Sequence, residues 1–199
     1  MKQTSTESCE IYALIDAALL ERYSVSLERA AAFLQARKIP IAQYRDKEGS
    51  SADVAEALQK LRRHYHGTLI VNDRLELAGL ADGCHLGQED LAALDADPRT
   101  AVRKARERIG RKMLGLSTHN AQEVRLANTL DLDYIGLGAY RPTATKAVSS
   151  IGGEALLETA RLSRHPVALI GGVRWEDAFG APIGYKVLGS ALFEKMVTQ

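Results

Sequence analysis

The chain has 199 residues, 46% of them hydrophobic and 26% charged, with a formal net charge of +1 at pH 7. That size and balance suit one well-filled globular domain, and the near-zero charge removes the electrostatic case for a nucleic-acid or anionic-membrane partner. The polar start, "MKQTSTESCE", has no secretory pattern, no apolar run reaches the ~18 residues of a membrane span, and Cys9 and Cys84 form neither a disulfide framework nor a metal cluster. A reduced, cytoplasmic protein is the expectation.

Residues 1–10 read as a frayed extension of a single domain, with Cys9 at its end. The first run of strand length, Ile11–Ile15, leads into Asp16. In "SLERAAAFLQARK", Leu27, Ala30, Ala31 and Leu34 fall at helical spacing behind an N-cap at Ser26. A second strand, Ile41–Tyr44, precedes the amphipathic "SADVAEALQKLRRHY". Thr68–Val71 and Cys84–Leu86 follow as strands three and four, each leading into an acidic turn, Asn72-Asp73 and Gln88-Glu89-Asp90. Cys84 reads as a small buried hydrophobe. "PRTAVRKARERI" is helical, Met113–Leu116 is strand five, and "NAQEVRLANTLDL" opens on Asn120 with Glu123 three residues on, a pattern like a capping box. Tyr134–Gly136, Val167–Ile170 and Tyr185–Leu188 complete eight strands.

Strands alternating with helices predict a parallel sheet. No G-x-G-x-x-G follows the first strand, so the glycine signals do not match a dinucleotide fold. The count of eight favours a compact (β/α)8 TIM barrel over an open doubly wound sheet. In such a barrel the chemistry lies at the C-terminal ends of the strands.

Those ends are rich in anion-binding groups. After strand two, alternation points Gln43, Arg45 and Lys47 to one side and Tyr44 and Asp46 to the other; the three suit a phosphate-bearing ligand, unless they simply form a solvated strand end. Asp73 and Asp90 follow neighbouring strands, where they either act as turn formers or share a Mg2+ ion that takes its remaining ligands from water and substrate phosphate. Ser117 can hydrogen-bond a phosphate oxygen, and His119 is either an acid/base or a turn residue. "AYRPTATKAVSSIGGE" reads as a mobile loop in which Thr143, Thr145 and Lys146 make a phosphate grip. Glycine turns at Gly171-Gly172 and at Gly189, with Ser190 opening the last helix, form a second, backbone-built anion cradle.

In the same order and with similar spacing, "QYRDK", "VNDRLELAGLADGCHLGQEDL", "GLSTHN", "YIGLGAYRPTATK" and "IGGV" resemble thiamine phosphate synthase, over about Ile11 to Leu192. The resemblance implies a transferase coupling hydroxymethylpyrimidine diphosphate to thiazole phosphate, with release of pyrophosphate. It implies Gln43 on the pyrimidine or its diphosphate, and Arg45, Lys47 and Asn72 on the diphosphate. Asp73 and Asp90 would coordinate Mg2+, and Ser117 and Lys146 would bind the departing pyrophosphate. Thr143, Thr145, Gly172, Gly189 and Ser190 would hold the thiazole phosphate. An electron-rich aminopyrimidine stabilises a benzylic-type cation, so a dissociative path needs no protein nucleophile.

Three features depart from the family pattern. "AYR" places Arg141 before the Pro-Thr, where a small or hydrophobic lead-in is usual. "LIDAA" stands where Thr-Asp is common, although Asp16 remains. The stretch from Gly172 to Gly189 is a few residues short, which predicts a helix of only one or two turns. Two other functions compete: a thiazole tautomerase using His119, and a noncatalytic sensor of thiamine precursors. Neither calls for the two-aspartate site together with the "TATK" loop. No feature of the sequence specifies an oligomeric state.

Overall fold

Strands rich in apolar residues on both faces belong in a sheet covered on both sides. The structure, a computed structural model that describes residues 9–142 and 152–199, closes such a sheet on itself. Its eight parallel strands are β1 (Glu10–Asp16), β2 (Ile41–Arg45), β3 (Thr68–Asn72), β4 (Gly83–Leu86), β5 (Met113–Thr118), β6 (Tyr134–Leu137), β7 (Val167–Leu169) and β8 (Ile183–Leu188). Each strand pairs with the next, and β8 closes on β1, so that Tyr12 lies opposite both Ile41 and Val187. The (β/α)8 barrel expected from the strand count is the fold. Glu10 is the first residue of β1 and the half-buried Cys9 packs against the core, so these two residues, read from the sequence as part of a frayed stretch, belong to the barrel. Residues 1–8 lie outside the described residues.

Helices return the chain along the outside: α1 (Ala17–Arg22) and α2 (Leu27–Ala36) after β1, and α3 (Ser51–His64) after β2. A 3₁₀ turn (Leu75–Leu80) follows β3; α4 (Gln88–Leu94) and α5 (Pro98–Ile109) follow β4. Then come α6 (Ala121–Ala127), α7 (Gly153–Ala160) and α8 (Ser190–Val197), after β5, β6 and β8. In α3, Val54, Ala57, Leu58 and Leu61 recur at helical spacing and are buried, while Ser50 and Asp53 cap the start reciprocally. Each buried leucine there contributes roughly 2 kcal/mol, and Leu58→Ala would remove about 3 kcal/mol by leaving a cavity. Asp97 caps α5, Pro98 takes its first position and Gly110, at φ +62°, ends it.

One expectation about the helices fails. Residues 170–182, between β7 and β8, contain no helix at all, not even the one or two turns predicted. Side chains hold that segment instead. The Trp175 Nε1–H donates to the Ala191 carbonyl at 2.8 Å, and Lys186 Nζ donates to the carbonyls of Trp175 and Asp177.

Alternation along the strands separates two apolar layers. Outward residues such as Ala13, Ala42, Tyr44, Val71, Cys84 and Leu114 pack under the helices. Inward residues Tyr12, Leu14, Ile41, Ile70, Tyr134, Ala168 and Val187 fill the barrel. The lumen is therefore a packed floor rather than a pore, and the cavity sits above it. No helix among the described residues is long and apolar enough to cross a membrane.

Candidate active site

A cavity of about 1150 Å³ opens at the C-terminal ends of the strands. Gln43, Arg45, Lys47, Asn72, Asp73, Asp90, Ser117, Gly172, Gly189 and Ser190 all line it, as do His119 and Arg141. Thr143, Thr145 and Lys146, and with them the mobile loop expected there, lie outside the described residues. The alternation expected along β2 is seen in the side chains: Gln43 bonds into the lumen, whereas Tyr44 packs in the outer layer.

The acidic side of the cavity is built on β3 and β4, which pair in parallel. Asp73 adopts φ +61°, a backbone conformation that Asp tolerates better than most residues. Asp90, read from the sequence as part of a turn, is the third residue of α4. There its Oδ2 accepts from the Gly87 N–H at 3.1 Å, as a carboxylate at that helical position commonly does. The same N–H also reaches Asp73 Oδ1 at 3.3 Å. Lys47 Nζ pairs with Asp73 Oδ2, and the Asn72 amide donates to that oxygen at 2.5 Å.

The two carboxyls titrate apart. Burial raises Asp90, and the hydrogen bond and charge of Asp73 raise it further. Burial also works against the charged form of Asp73, but hydrogen bonds from Lys47 and Asp90 outweigh it and hold the group below the usual carboxylate range. Two neighbouring carboxyls, one raised by burial and by the other's charge, are a suitable place for a divalent cation, which would relieve the repulsion. Among the described residues no cluster of three or more His, Cys, Asp or Glu side chains converges on a point. A cation here would need oxygen ligands from water or substrate, the arrangement Mg2+ favours.

Arg45 is paired with Asp16, which is buried and also caps α1 by accepting from Ala18 N at 3.1 Å. The pair aims the guanidinium at the cavity, which Lys47, two residues further along the chain, also lines.

A buried relay crosses the floor. Gln43 Nε2 donates to Asn72 Oδ1 at 2.6 Å, and Tyr12 donates to Gln43 Oε1 at 3.1 Å. The Tyr12 and Tyr134 hydroxyls are 2.8 Å apart, His85 Nδ1 lies 3.0 Å from Tyr134 Oη, and His85 Nε2 lies 3.0 Å from Ser117 Oγ. The Asp73 carboxylate sets the direction of the chain. Asn72 must donate to it, so each next group donates toward Asp73, His85 carries its proton on Nδ1, and Ser117 donates to Nε2. Burial raises both phenols and so keeps them as donors. A Cβ at Gly115 would run into both the Tyr134 ring and the His85 imidazole, so β5 needs glycine at that point.

Tyr12, His85 and Tyr134 escaped the reading of the sequence. Their only signal there is inward register on β1, β4 and β6, which places polar groups where a barrel floor is usually apolar.

The opposite wall is made of backbone. Gly171 and Gly172 have φ of +97° and +59°, and a Cβ at either would press on Ala139 or Arg141. Among the described residues the N–H groups of Gly172 and Val173 have no acceptor. The first turn of α8, at Ser190 and Ala191, lines the same end of the cavity. Such amides form an anion site. His119, by contrast, is at the rim, where both its N–H and Nδ1 meet Glu123 Oε2 at 2.9 Å. Glu123 therefore reaches back to His119 and to the Asn120 side chain, while Asn120 Oδ1 caps α6.

Comparison with known proteins follows the same outline. A family described as thiamine monophosphate synthase matches residues 11–180. A thiamine-phosphate synthase of Persephonella marina is 41% identical over 140 residues, which take in 67% of this chain and 63% of that protein, so the chain spans just under two-thirds of that relative's length. One from Methanosarcina barkeri is 34% identical over 183 residues, 88% of this chain and 78% of that protein. The solved structure of a thiamine phosphate pyrophosphorylase from Pyrococcus furiosus superposes with a TM-score of 0.67 over 95% of both chains at 22% identity, a likeness of fold.

Proposed function

Because the chain belongs to the thiamine monophosphate synthase family, we propose that it is a transferase joining hydroxymethylpyrimidine diphosphate to thiazole phosphate. The products are thiamine phosphate and pyrophosphate. One observation carries this reading: a single cavity holds a carboxylate-and-cation cluster, Asp73, Asp90, Arg45 and Lys47, on one wall and, on the other, backbone N–H groups that have no acceptor among the described residues. Two phosphorylated substrates need two such sites facing each other.

Gln43, its amide oriented by Asn72 and Tyr12, would meet the pyrimidine above the lumen floor. Arg45, Lys47 and Asn72 would hold the diphosphate. Asp73 and Asp90 would hold Mg2+, which when bound supplies positive charge to the leaving diphosphate oxygens. The bond from the pyrimidine methylene to the diphosphate oxygen breaks with its electron pair going to the diphosphate. The ring stabilises the resulting cation, and the thiazole nitrogen then forms the new C–N bond with its lone pair. Arg45, Lys47 and Lys146 would stabilise charge on the pyrophosphate. Ser117 would bind it by rotating its hydroxyl away from His85. Thr143, Thr145, Gly172, Gly189 and Ser190 would fix the thiazole phosphate, so that the second substrate is already aligned when the cation forms. The apolar side chains of Leu14, Ala168, Ile170 and Val187, which line the cavity beside the relay, would help keep water from capturing the cation.

The domain is read as residues 1–199, and its setting as the cytoplasm with Cys9 and Cys84 reduced. Release of pyrophosphate when the protein receives both substrates with Mg2+, and only then, tests the proposal. His119→Ala separates the rival tautomerase, because an imidazole hydrogen-bonded to Glu123 at the rim has no part in the coupling. Most pyrophosphate release should survive that change. A wild-type protein that isomerises the thiazole and never releases pyrophosphate would sink the reading.

A further inference from the structure

We infer that Arg141 is a positioning residue for the thiazole phosphate, acting through a clamp on Asp177 that ties the β6 loop to the helix-free β7–β8 segment. This role presupposes the synthase reading of the cavity. The Arg141 guanidinium meets Asp177 with two parallel bonds, Nη1 to Oδ2 at 2.5 Å and Nη2 to Oδ1 at 3.1 Å. Asp177 is 14% exposed and Arg141 35%, and the guanidinium lies 4.5 Å from the centre of the Tyr140 ring. A planar fork held by both terminal nitrogens and set over an aromatic face keeps one orientation far better than a lysine could.

The clamp determines which way the glycine turn faces. Arg141 N–H donates to the Gly171 carbonyl at 2.9 Å, and Arg141 Nη1 donates to the Gly172 carbonyl at 3.1 Å. In a trans peptide the C=O and the following N–H point to opposite sides. With both carbonyls turned toward Arg141, the N–H groups of Gly172 and Val173 are turned away from it, and both residues line the cavity. Asp177 completes the turn by accepting from Arg174 N at 2.8 Å. Elsewhere in the barrel, helices or a 3₁₀ turn brace the connections between strands. After β7 nothing helical does so, and Arg141 and Lys186 brace the segment from its two sides.

The test uses Arg141→Gln, Asp177→Asn and the double variant, with steady-state kinetics for each substrate. Each single change should raise KM for the thiazole phosphate about tenfold, a modest loss because the pair is partly exposed. The double variant should be no worse than either single one, since both break one device. KM for the pyrimidine diphosphate should not move. Asp177→Asn leaving the thiazole KM unchanged would overturn the clamp, because Arg141 would then touch the phosphate directly. Equal rises in both KM values would overturn it too, as a general loss of structure.

If the wild type turns over neither substrate, the synthase reading is what fails. The same variants are then titrated calorimetrically with the thiazole phosphate alone. Weaker binding by all three variants would uphold the clamp, and no binding by wild type would overturn it.

Discussion

Burial pushes the His85 imidazole down to about 4 from its ordinary 6.5, against an opposing pull from the Asp73 carboxylate. The unfolded chain therefore takes up a proton that the folded one refuses. Stability from this group is complete above the unfolded value and drains away as pH falls through the interval down to about 4. Between about pH 7.5 and about pH 5 the loss through His85 should be roughly 2 kcal/mol. Urea unfolding of His85→Gln at both pH values should show that much less pH dependence than wild type; an unchanged slope would mean that the imidazole is protonated in the fold. Asp73 and Asp90 make a different prediction. Either change to Asn should cut turnover by at least about 100-fold and raise the Mg2+ requirement, with little effect on unfolding. Magnesium titrations that coincide with wild type for both variants would rule the site out. The cations and carboxylates were legible in the sequence because they recur after successive strands, and their gathering at one end of a barrel outweighs the turn or solvation role each could have alone. His85 was not, because a lone histidine on a buried strand looks like any other satisfied core residue.

Helices were legible in proportion to their length and their caps. The 14-residue α3 and the 12-residue α5 show a repeating apolar stripe and a clear first turn. At six and seven residues, α1 and α4 are too short to display a period, so Asp90 looked like a turn residue. The cap of α5 can be tested without touching the cavity. Asp97 Oδ2 accepts from Thr100 N at 2.8 Å, and Asp97→Ala should lower stability by about 1 kcal/mol with unchanged kinetics. A urea midpoint identical to wild type would show that α5 is held by packing alone. The β7–β8 segment is the opposite case. Its missing helix follows from contacts made by Arg141, Lys186 and Ala191, residues up to 36 positions away from the ones they hold.

At the scale of the whole molecule, barrel closure makes each strand depend on two neighbours, so no strand can leave without exposing both layers. Trp175, the one tryptophan, reports on the least regular part of that closed structure. Its ring lies 6.4 Å from Phe33 on α2, edge to face, and so is packed into the outer layer. Unfolding followed by Trp175 fluorescence should therefore coincide with unfolding followed by far-ultraviolet circular dichroism. A fluorescence change that precedes the loss of helix signal would mean that residues 170–182 open as a separate unit.

Sequence by itself determined the eight strands, their parallel order and the turns that carry anion-binding groups. Side-chain period, cap residues and turn chemistry act over a few neighbouring positions, so they can be read from neighbouring positions. Only the tertiary structure decided the relay from Asn72 to Ser117, the seating of Asp90 on a helix and the Arg141 clamp. Tyr12 and Tyr134 are 122 residues apart and meet only because the sheet closes. Whether their hydroxyls and the His85 ring fit together in the lumen is then settled by the room left at Gly115. Contacts across a closed barrel are set by strand register and by the volume of every inward residue at once, and no local stretch of sequence contains that information.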